Sequence, residues 1–374
     1  MPAVRKVLVV GAGIAGTAAA IRLATGGVAV DLIDALPDAG AAGSGITLQG
    51  NALRVLRELG VWDRLRARGH GFDSLGIRAP DAHGTLLAEV TDFRTGGPDL
   101  PAAFGTYRPV LARLLLARAA QAGARVRFGT SFTAIRPAGD GVDVTRTDHR
   151  TERYDLVIGA DGVRSAVRRE IGIDLVTRDL GIDIWRVVTT RPPSVDRTEL
   201  ILGGPVHIAG YCPTGPDSMY AYLAEAPQRR GPLTPAESLA VVRSLAARLH
   251  GPWDEIEFTD PALINFTTFR THLLDGPWHR GRVVVIGDAA HAAPPTLAQG
   301  AAMSLEDAGV LGELLLAAPT VDDTLWKEFT ARRLERVRTV VDASVRMCQW
   351  LLGGVRGDVP GLHAEVSALV AQPA

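Results

Sequence analysis

The sequence predicts an α/β protein in which a parallel-sheet domain is interrupted twice by a mostly antiparallel domain and is followed by a long helix. Three observations predict this fold. A strand, a glycine-rich turn, a helix and a second strand follow one another between Val4 and Asp34. The stretches 71–105 and 175–270 alternate apolar and polar residues between Pro and Gly turns, which is typical of short antiparallel strands. From Leu334 to Leu352, apolar residues recur at steps of three and four, the period of an amphipathic helix.

The composition fits a protein with a substantial core and almost no net charge. The 374 residues are 47% hydrophobic and carry a net charge of −1, so two lobes are expected. No basic block stands out, so no nucleic-acid partner is expected, and no apolar stretch is long enough to suggest a membrane span. Cys212 and Cys348 provide neither a disulfide framework nor a metal-binding spacing. We therefore expect no metal, a reducing cytoplasm, and a monomer or homodimer.

The first strand–turn–helix unit carries a glycine-rich fingerprint. Residues 11–16 read Gly-Ala-Gly-Ile-Ala-Gly, between an apolar strand over Val4–Val10 and a helix predicted over Ile14–Thr25. In the pattern G-x-G-x-x-G, the first glycine allows a tight turn, the second lets a pyrophosphate approach the backbone, and the third lets helix and strand pack closely. The helix N-terminus then faces the phosphates. The pattern predicts a Rossmann-like dinucleotide site formed by Gly11, Gly13, Ile14, Ala15 and Gly16.

Asp34 ends the next predicted strand, Val28–Asp34, eighteen residues after Gly16. An acid at this point accepts hydrogen bonds from both hydroxyls of an adenosine ribose and would repel a 2′-phosphate. This disfavours NADP at this site. The motif alone leaves FAD and NAD open.

Further elements follow from apolar spacing and turn residues. Helices are predicted over 51–65, 110–122 and 236–250, and strands over 124–128, 154–158 and 283–286. The predicted division is a discontinuous nucleotide-binding domain over 1–70, 106–174 and 271–320, a substrate-binding domain over 71–105 and 175–270, and a C-terminal helix and tail over 321–374. The last ten or so residues are expected to fray.

A second Gly/Asp turn follows an apolar strand in the middle of the chain. Residues 155–168 read Asp-Leu-Val-Ile-Gly-Ala-Asp-Gly-Val-Arg-Ser-Ala-Val-Arg, the pattern of a strand, a turn and a helix start. One interpretation is an Asp-Gly turn in which Ser165 helps to cap the helix. The other, favoured beside the first motif, is a further contact with the nucleotide through Asp161.

The stretch Gly281–Gly300 joins a buried strand to a later helix. The strand ends at Gly287-Asp288, Pro294-Pro295 follow, and a helix is predicted to begin near Gln299-Gly300. Asp288 has the character of a helix N-cap, but a cap is followed directly by helix, and here the prolines intervene. The alternative places the Asp288 carboxylate on a ribityl hydroxyl. The later helix would then direct its positive end at the pyrimidine edge of a flavin.

Together the three motifs resemble the class A flavoprotein aromatic hydroxylases, a family that includes p-hydroxybenzoate hydroxylase and salicylate hydroxylase. The resemblance covers roughly residues 4 to 350 and is carried by GAGIAG (11–16), IGADGVRSAVR (158–168) and VVVIGDAAHAAPPTLAQGAAMSLEDA (283–308), in this order and spacing. It implies non-covalent FAD, NADH or NADPH as a transient reductant, and O2 as co-substrate.

The resemblance also implies roles by position. Asp34 would bind the adenosine ribose, Asp161 would lie near the pyrophosphate, and Asp288 would hold the ribityl chain. Arg108 would contact FAD; its alternative is a surface helix charge. The flavin would be lined by Gly45, Ile46, Gly287, Pro295, Ala298, Gln299, Gly300 and Ala301.

The sequence departs from the family pattern at two places. Ala41-Ala42 stand where the family often has an arginine, so one cofactor contact is expected to be missing. Ala298-Gln299-Gly300 replaces the usual Gly-Gln-Gly, and an alanine is tolerable there only if its φ is negative. The loop is therefore expected to differ slightly.

The activity implied is hydroxylation of a small aromatic or heteroaromatic substrate through a flavin C4a-hydroperoxide, with water excluded. The alternative left open is an FAD-dependent reductase or oxidase of the same fold without oxygen insertion. Halogenases of this fold use a lysine, and the two lysines, Lys6 and Lys327, stand at positions unsuited to that role. A non-catalytic FAD-bound scaffold is the remaining class.

Substrate contacts are expected from the 175–270 insertion. His207 and Tyr211 share one strand face, and Tyr220 and Tyr222 share another. His207, Tyr211 or Tyr220 would accept the proton of a substrate hydroxyl, and Arg186 would bind a carboxylate. For each residue the alternative is sheet packing or a solvent-facing position, which the sequence favours.

Overall fold

The computed structural model describes residues 2–38, 43–355 and 357–374. Within them, the strands are β1 (Lys6–Val10), β2 (Ala29–Ile33), β3 (Gly45–Gln49), β4 (Gly69–Phe72), β5 (Ser74–Arg78), β6 (Leu86–Thr91), β7 (Ala103–Tyr107), β8 (Arg125–Arg127), β9 (Phe132–Ala138), β10 (Gly141–Arg146), β11 (Thr151–Tyr154), β12 (Leu156–Gly159), β13 (Arg178–Thr190), β14 (Thr198–Leu202), β15 (Ile208–Pro213), β16 (Ser218–Glu225), β17 (Ile264–Leu273), β18 (His279–Arg280), β19 (Val283–Val285) and β20 (His291–Ala292).

The helices in the same residues are α1 (Ile14–Thr25), α2 (Gly50–Glu58), α3 (Trp62–Arg66), α4 (Arg108–Gln121), α5 (Ala166–Glu170), α6 (Pro235–Ala246), α7 (Gly300–Ala317), α8 (Asp323–Gly353) and α9 (Val359–Ala371). The predicted α/β class is confirmed, as is the long helix near the C-terminus. None of the described helices is long and apolar enough to cross a membrane.

A six-stranded sheet carries the nucleotide-binding motifs. Its strand order is β18-β19-β12-β1-β2-β8, and all strands except β18 run parallel. The register pairs Val10 with Gly159 and Gly159 with Val285. The carboxyl ends of β1, β12 and β19 therefore lie side by side, so the turns that follow them meet at one edge of the sheet. This is the edge at which ligands bind in parallel α/β sheets.

The two insertions share one eight-stranded sheet. Its order is β20-β17-β13-β16-β15-β14-β5-β6, and β5 and β6 come from the first insertion. One face packs against α6 through a core that includes Ala209, Tyr211 and Trp253. The opposite face carries Tyr220 and smaller apolar clusters. The two faces follow from the alternation of side chains along each strand.

A third sheet, of order β3-β7-β4, contacts β13 and β15 of the eight-stranded sheet and helix α7. The hydroxyls of Thr47 on β3 and Tyr220 on β16 share a hydrogen bond of 2.8 Å. A Cβ atom at Gly45 on β3 would lie 2.0 Å from the Tyr220 ring. The absence of a side chain at Gly45 therefore permits this close approach.

Two local expectations are corrected, and one small sheet is found that was not predicted. The helix predicted over 51–65 is two helices, α2 and α3, because Gly60 adopts φ +73° between them. The segment between β8 and β12 forms a three-stranded antiparallel sheet, β11-β10-β9, that the apolar pattern did not predict. The tail expected to fray is helix α9, whose Leu362, Val366 and Val370 are buried in the main core.

Helix α8 spans the region between the two large sheets. It is one continuous helix of 31 residues. Its Cys348 is 1% exposed and packs with Ile182, Ile184 and Phe269 of the eight-stranded sheet. Cys348 is therefore a packing residue. Earlier turns of α8 pack into the core under the six-stranded sheet.

Candidate active site

The glycine turn after β1 is closely packed on one side and open on the other. Gly11 has φ +105°, and a Cβ atom there would lie 2.3 Å from the Ala160 carbonyl oxygen. A Cβ atom at Gly16 would lie 1.9 Å from the Gly11 carbonyl oxygen. Gly13, in contrast, would place its Cβ atom in open space, and no side chain caps the start of α1. Free N–H groups at a helix start favour an anion.

Asp34 holds this turn from the neighbouring strand. One carboxylate oxygen accepts a hydrogen bond from Ala12 N at 2.7 Å, and the other accepts one from Leu36 N at 2.8 Å. Each oxygen keeps a further lone pair. The predicted contact of Asp34 with an adenosine ribose stays a prediction.

Asp161 and Ser165 cap the short helix α5. The Asp161 carboxylate accepts hydrogen bonds from Ala166 N at 2.6 Å, Val167 N at 3.0 Å and the Ser165 hydroxyl. The Ser165 hydroxyl in turn accepts from Arg168 N at 2.9 Å. The capping interpretation therefore describes these contacts, and a contact of Asp161 with a nucleotide stays a prediction. The buried Arg168 donates to Ala289 O at 2.6 Å and so ties this motif to the third one.

Asp288 lies just after β19, at the sheet edge where the glycine turn also lies. It lies in a 3-10 turn, Gly287–Ala289, and helix α7 begins only at Gly300, so Asp288 does not cap that helix. Solvent reaches Asp288 although protein surrounds it. Burial raises the pKa of Asp288, and the neighbouring His291 and Arg108 side chains act against that rise. No hydrogen-bond donor within the described ranges contacts its carboxylate oxygens.

The start of α7 faces the same region. No side chain caps it, and a Cβ atom at Gly300 would meet nothing within 4 Å. Pro295 begins a 3-10 turn that ends at Leu297, and Asn51 Nδ2 donates to Gln299 Oε1 at 3.0 Å. Ala298 has φ +52°, so the expectation of a negative φ is wrong. Ala298 therefore adopts the left-handed backbone conformation that favours glycine, and this conformation is strained for an alanine.

Arg108 lies at the start of α4, beside β3. Its backbone N donates to Ser44 O at 3.1 Å, and its side chain is exposed. Its charge acts on Asp288 and also on Arg186 and Tyr220 of the eight-stranded sheet. We call the region bounded by Asp288, Arg108, Arg186 and Tyr220 the cleft. Ala41 and Ala42, where the family often has an arginine, lie outside the described residues.

Comparisons with known proteins decide the family. A family described as "FAD binding domain" matches residues 5–344. The chain is 33% identical over 352 residues to 2-heptyl-3-hydroxy-4(1H)-quinolone synthase of Pseudomonas aeruginosa, across 92% of this chain and 90% of that protein. The chain belongs to the FAD-dependent aromatic hydroxylase family.

Two further comparisons agree with this family. 6-Hydroxynicotinate 3-monooxygenase of Bordetella bronchiseptica is 28% identical over 353 residues, across 90% of each chain. The structure of Klebsiella pneumoniae HpxO complexed with FAD and uric acid has a TM-score of 0.82 at 23% identity, across 98% of this chain and 92% of that one. That last likeness is one of fold. FAD as cofactor, with NAD(P)H and O2 as co-substrates, follows from membership of this monooxygenase family.

The residues of this hydroxylase fit FAD. Two helix starts without side-chain caps, those of α1 and α7, follow strands or turns at one edge of the sheet. Asp288 offers an acceptor that no described donor uses. A dinucleotide with an anionic pyrophosphate, a polyol and an electron-rich ring needs this combination of donors and acceptors.

A buried ion cluster supports the Asp288 turn from below. We use this name for Glu306, Asp307, Arg333, Arg336 and His291. Asp307 accepts hydrogen bonds from Gly287 N at 2.8 Å, His291 Nε2 at 2.7 Å and Arg333 Nε at 2.8 Å. Glu306 pairs with Arg333 at 2.9 Å and Arg336 at 2.8 Å. Burial opposes ionisation of both acids, but these partners hold the pKa of Asp307 and of Glu306 below their usual values.

The ion cluster continues to α2 and α9. Asn51 Nδ2 donates to Glu306 Oε1 at 3.0 Å, in addition to its bond with Gln299. Arg336 donates to the carbonyl oxygens of Leu369, Val370 and Gln372 at 2.7, 3.2 and 2.9 Å. The last helix thus binds a guanidinium that also holds Glu306. Sequence reasoning missed these residues, although Glu306-Asp307 stood inside the third motif.

The predicted substrate residues fall on two faces of the eight-stranded sheet. Arg186 pairs in register with Tyr222, and Val188 with Tyr220, so these residues share the face that carries the Thr47 contact. Tyr211 lies on the other face, where its hydroxyl donates to Glu199 and its ring packs edge-on against Trp253 at 5.8 Å. The structure therefore brings Arg186 and Tyr220 to the cleft and gives Tyr211 a packing position in the second core.

His207 also lies away from the cleft. It borders a surface pocket of about 400 Å³ together with Glu225 and Arg230, which form an ion pair. Its position alternates with Ile208, which contributes to the cluster on the cleft face. The activating role predicted for His207 stays a prediction, and its location does not support it.

Proposed function

We propose that this hydroxylase uses NAD(P)H and O2 to hydroxylate a small aromatic or heteroaromatic ring bound between the Asp288 turn and the cleft face of the eight-stranded sheet. The observation that carries the proposal is the Asp288 carboxylate. It has no donor among the described residues and lies at the sheet edge where two uncapped helix starts converge.

The proposed contacts with FAD follow the order of the motifs. The turn formed by Gly11, Gly13, Ile14, Ala15 and Gly16 would hold the pyrophosphate, with Asp161 nearby, and Asp34 would bind the adenosine ribose. Asp288, after Gly287, would accept hydrogen bonds from ribityl hydroxyls. The ring would lie against the segment formed by Pro295, Ala298, Gln299, Gly300 and Ala301, opposite Gly45 and Ile46, with Arg108 at its side. The start of α7 would stabilise negative charge on the reduced pyrimidine edge.

FAD, when bound, supplies hydride acceptance from NAD(P)H and activation of O2. The chain positions the substrate ring and excludes water from it. Val188, Tyr220 and Tyr222 form an apolar wall with the buried Phe72 and Cys212, which would keep water from the reacting ring. The Thr47–Tyr220 hydrogen bond fixes this wall to the FAD-binding side. Such a fixed geometry is what oxygen transfer to one ring carbon requires.

The relatives favour a heteroaromatic ring that carries oxygen. The names of two of them specify a quinolone and a hydroxynicotinate, and the structure with the same fold holds uric acid. We propose a substrate of similar size for this chain. We also propose a cytoplasmic location, since both cysteines are free and buried, and a monomer or homodimer.

The proposal is tested by cofactor retention and by the fate of O2. The purified protein should bind FAD, and the Asp288→Asn variant should bind it at least about tenfold more weakly, since a charge-assisted hydrogen bond contributes about 1.5–3 kcal/mol. The control is Asp174→Asn, an exposed aspartate away from the turn. With a panel of phenols, aromatic acids and N-heterocycles, at least one compound should stimulate NAD(P)H oxidation and acquire one ¹⁸O atom from ¹⁸O2. NAD(P)H oxidation without label in any product would contradict oxygen insertion.

A further inference from the structure

Two side chains connect the eight-stranded sheet to the turn that carries Asp288. Thr177 lies just before β13, where the chain enters this sheet for the second time, and His272 lies near the end of β17, before the chain returns to the six-stranded sheet at β18. The Thr177 hydroxyl and His272 Nδ1 are 2.8 Å apart, and His272 Nε2 lies 3.0 Å from Asp288 O. These contacts form one chain of hydrogen bonds from the eight-stranded sheet to the Asp288 turn.

The partners of the His272 ring determine which of its nitrogens carries the proton. The ring is buried, and burial lowers the pKa of His272 to about 4, so the ring is neutral near pH 7. The Asp288 carbonyl oxygen can only accept a hydrogen bond, so His272 Nε2 carries the proton and donates it. Nδ1 is then an acceptor, and the Thr177 hydroxyl donates to it. Thr177 therefore favours the tautomer in which His272 binds the Asp288 backbone.

The bond from His272 fixes one of the two peptide units that flank the Asp288 Cα atom. Ala290 N donates to Gly287 O at 2.8 Å and so holds the peptide unit before Asp288. His272 holds the unit after it, through Asp288 O. With both units held, the direction of the Asp288 Cα–Cβ bond is set, because that direction follows from the backbone on either side. The His272 ring therefore orients the Asp288 side chain without contacting its carboxylate.

We propose that Thr177 and His272 are positioning residues for the cofactor, which act through Asp288 O to orient the carboxylate that holds the ribityl chain of FAD. The inference rests on the proposed function, because it takes Asp288 as a group that binds FAD. Both residues lie outside the three motifs at 11–16, 158–168 and 283–308. The sheet that faces the substrate therefore also contributes to the retention of FAD.

The test is titration of the apoprotein of each variant with FAD, followed by flavin fluorescence. Thr177→Val keeps the shape of the side chain and removes its donor, so FAD should bind about tenfold more weakly, as expected when a buried acceptor loses its hydrogen bond. Thr177→Ser keeps a hydroxyl and should bind FAD as the parent protein does. His272→Leu removes the bond to Asp288 O and should weaken FAD binding at least as much as Thr177→Val.

A double-mutant cycle separates one connected unit from two independent contacts. In the His272→Leu background, Thr177→Val should have no further effect on FAD affinity, because the hydroxyl acts through the ring. Thr268→Val is the matched control. The Thr268 hydroxyl donates to Asp183 Oδ1 at 2.7 Å and joins the same two strands, β13 and β17, nearer the start of β17. This control should lower the Tm of the apoprotein and leave FAD affinity unchanged.

Three results would overturn the inference and leave the proposed function intact, in a parent protein that binds FAD. The first is parent-like FAD affinity of Thr177→Val, whatever its Tm, and this result decides the matter even where His272→Leu does not fold. The second is additive losses of FAD affinity in the cycle. The third is a loss in Thr268→Val as large as that in Thr177→Val. Failure of the parent protein to bind FAD would instead count against the proposed function.

Discussion

The buried ion cluster and the cleft both contain charged side chains, and they differ in how those charges are satisfied. In the cluster, Asp307 and Glu306 each have two or more partners at 2.7–3.0 Å. In the cleft, Asp288 and Arg186 have none among the described residues. Paired buried charges fix a structure, whereas unpaired charges in a cleft indicate where a ligand completes the pairing. The difference separates scaffold from site without reference to any ligand.

Breaking the ion cluster should have the largest effect on the free energy of unfolding. Arg333→Leu removes the guanidinium that binds both acids and leaves them buried, so the free energy of unfolding should fall by about 3–5 kcal/mol. Chemical denaturation measures this change. Arg153→Leu is the control, because Arg153 makes an exposed pair with Asp140, and it should cost less than about 1 kcal/mol. Equal losses for the two variants would show that the cluster is no more important than a surface pair.

His272, which contacts the backbone of Asp288, extends the comparison to the pH dependence of stability. Its ring is 4% exposed and contacts Thr177 Oγ1 at 2.8 Å and Asp288 O at 3.0 Å, and burial lowers its pKa to about 4. The unfolded chain takes up this proton below its ordinary pKa and the folded chain does not, so stability falls with acidification. The loss attributable to His272 should be roughly 2 kcal/mol between pH 7 and pH 5.

The measurement for His272 is the difference in unfolding free energy between those two pH values. It should shrink in His272→Gln. His149→Gln, a change at an exposed histidine, should leave the difference unaltered. A parent protein whose stability is equal at pH 5 and pH 7 would contradict the assignment.

The backbone of the cleft loop allows a smaller test. Ala298 holds φ +52°, a conformation that costs an L-residue about 1 kcal/mol or more. Ala298→Gly should therefore stabilise the protein by about 0.5 kcal/mol after the extra freedom of the unfolded chain is deducted. Ala301→Gly, one residue into α7, should do the opposite and destabilise it by about 0.5–1 kcal/mol. A destabilised Ala298→Gly would show that the loop is not strained.

The smallest effect on stability is expected at Asp288. Its carboxylate is accessible to solvent and has no described partner, so Asp288→Asn should change the stability of the apoprotein by less than about 0.5 kcal/mol. Thermal unfolding without FAD measures this. A large loss would mean that Asp288 belongs with the structural charges of the cluster, and the comparison between the two regions would fail.

The turns that form the site could be predicted from the sequence, but the ion cluster that supports them could not. Gly11–Gly16 and Gly287-Asp288 are visible because a turn and its strand are adjacent in the chain. Asp307 and Arg333 are 26 residues apart, on two helices, and their charges look like those of any solvent-exposed helix. Alternation along the strands separated Tyr211 from Tyr220, but which face meets the cleft depends on how the two large sheets pack. Helix α9 was missed because its buried residues pack on elements distant in sequence.

Helix α9 has a practical consequence for handling the protein. Its terminal carbonyl oxygens accept hydrogen bonds from Arg54 as well as Arg336, and Arg336 binds the acid that steadies Asn51 and hence Gln299. Proteolytic cleavage before Val359, or a bulky affinity tag fused after this helix, should therefore cause release of FAD. This loss of flavin absorbance should precede unfolding of the protein.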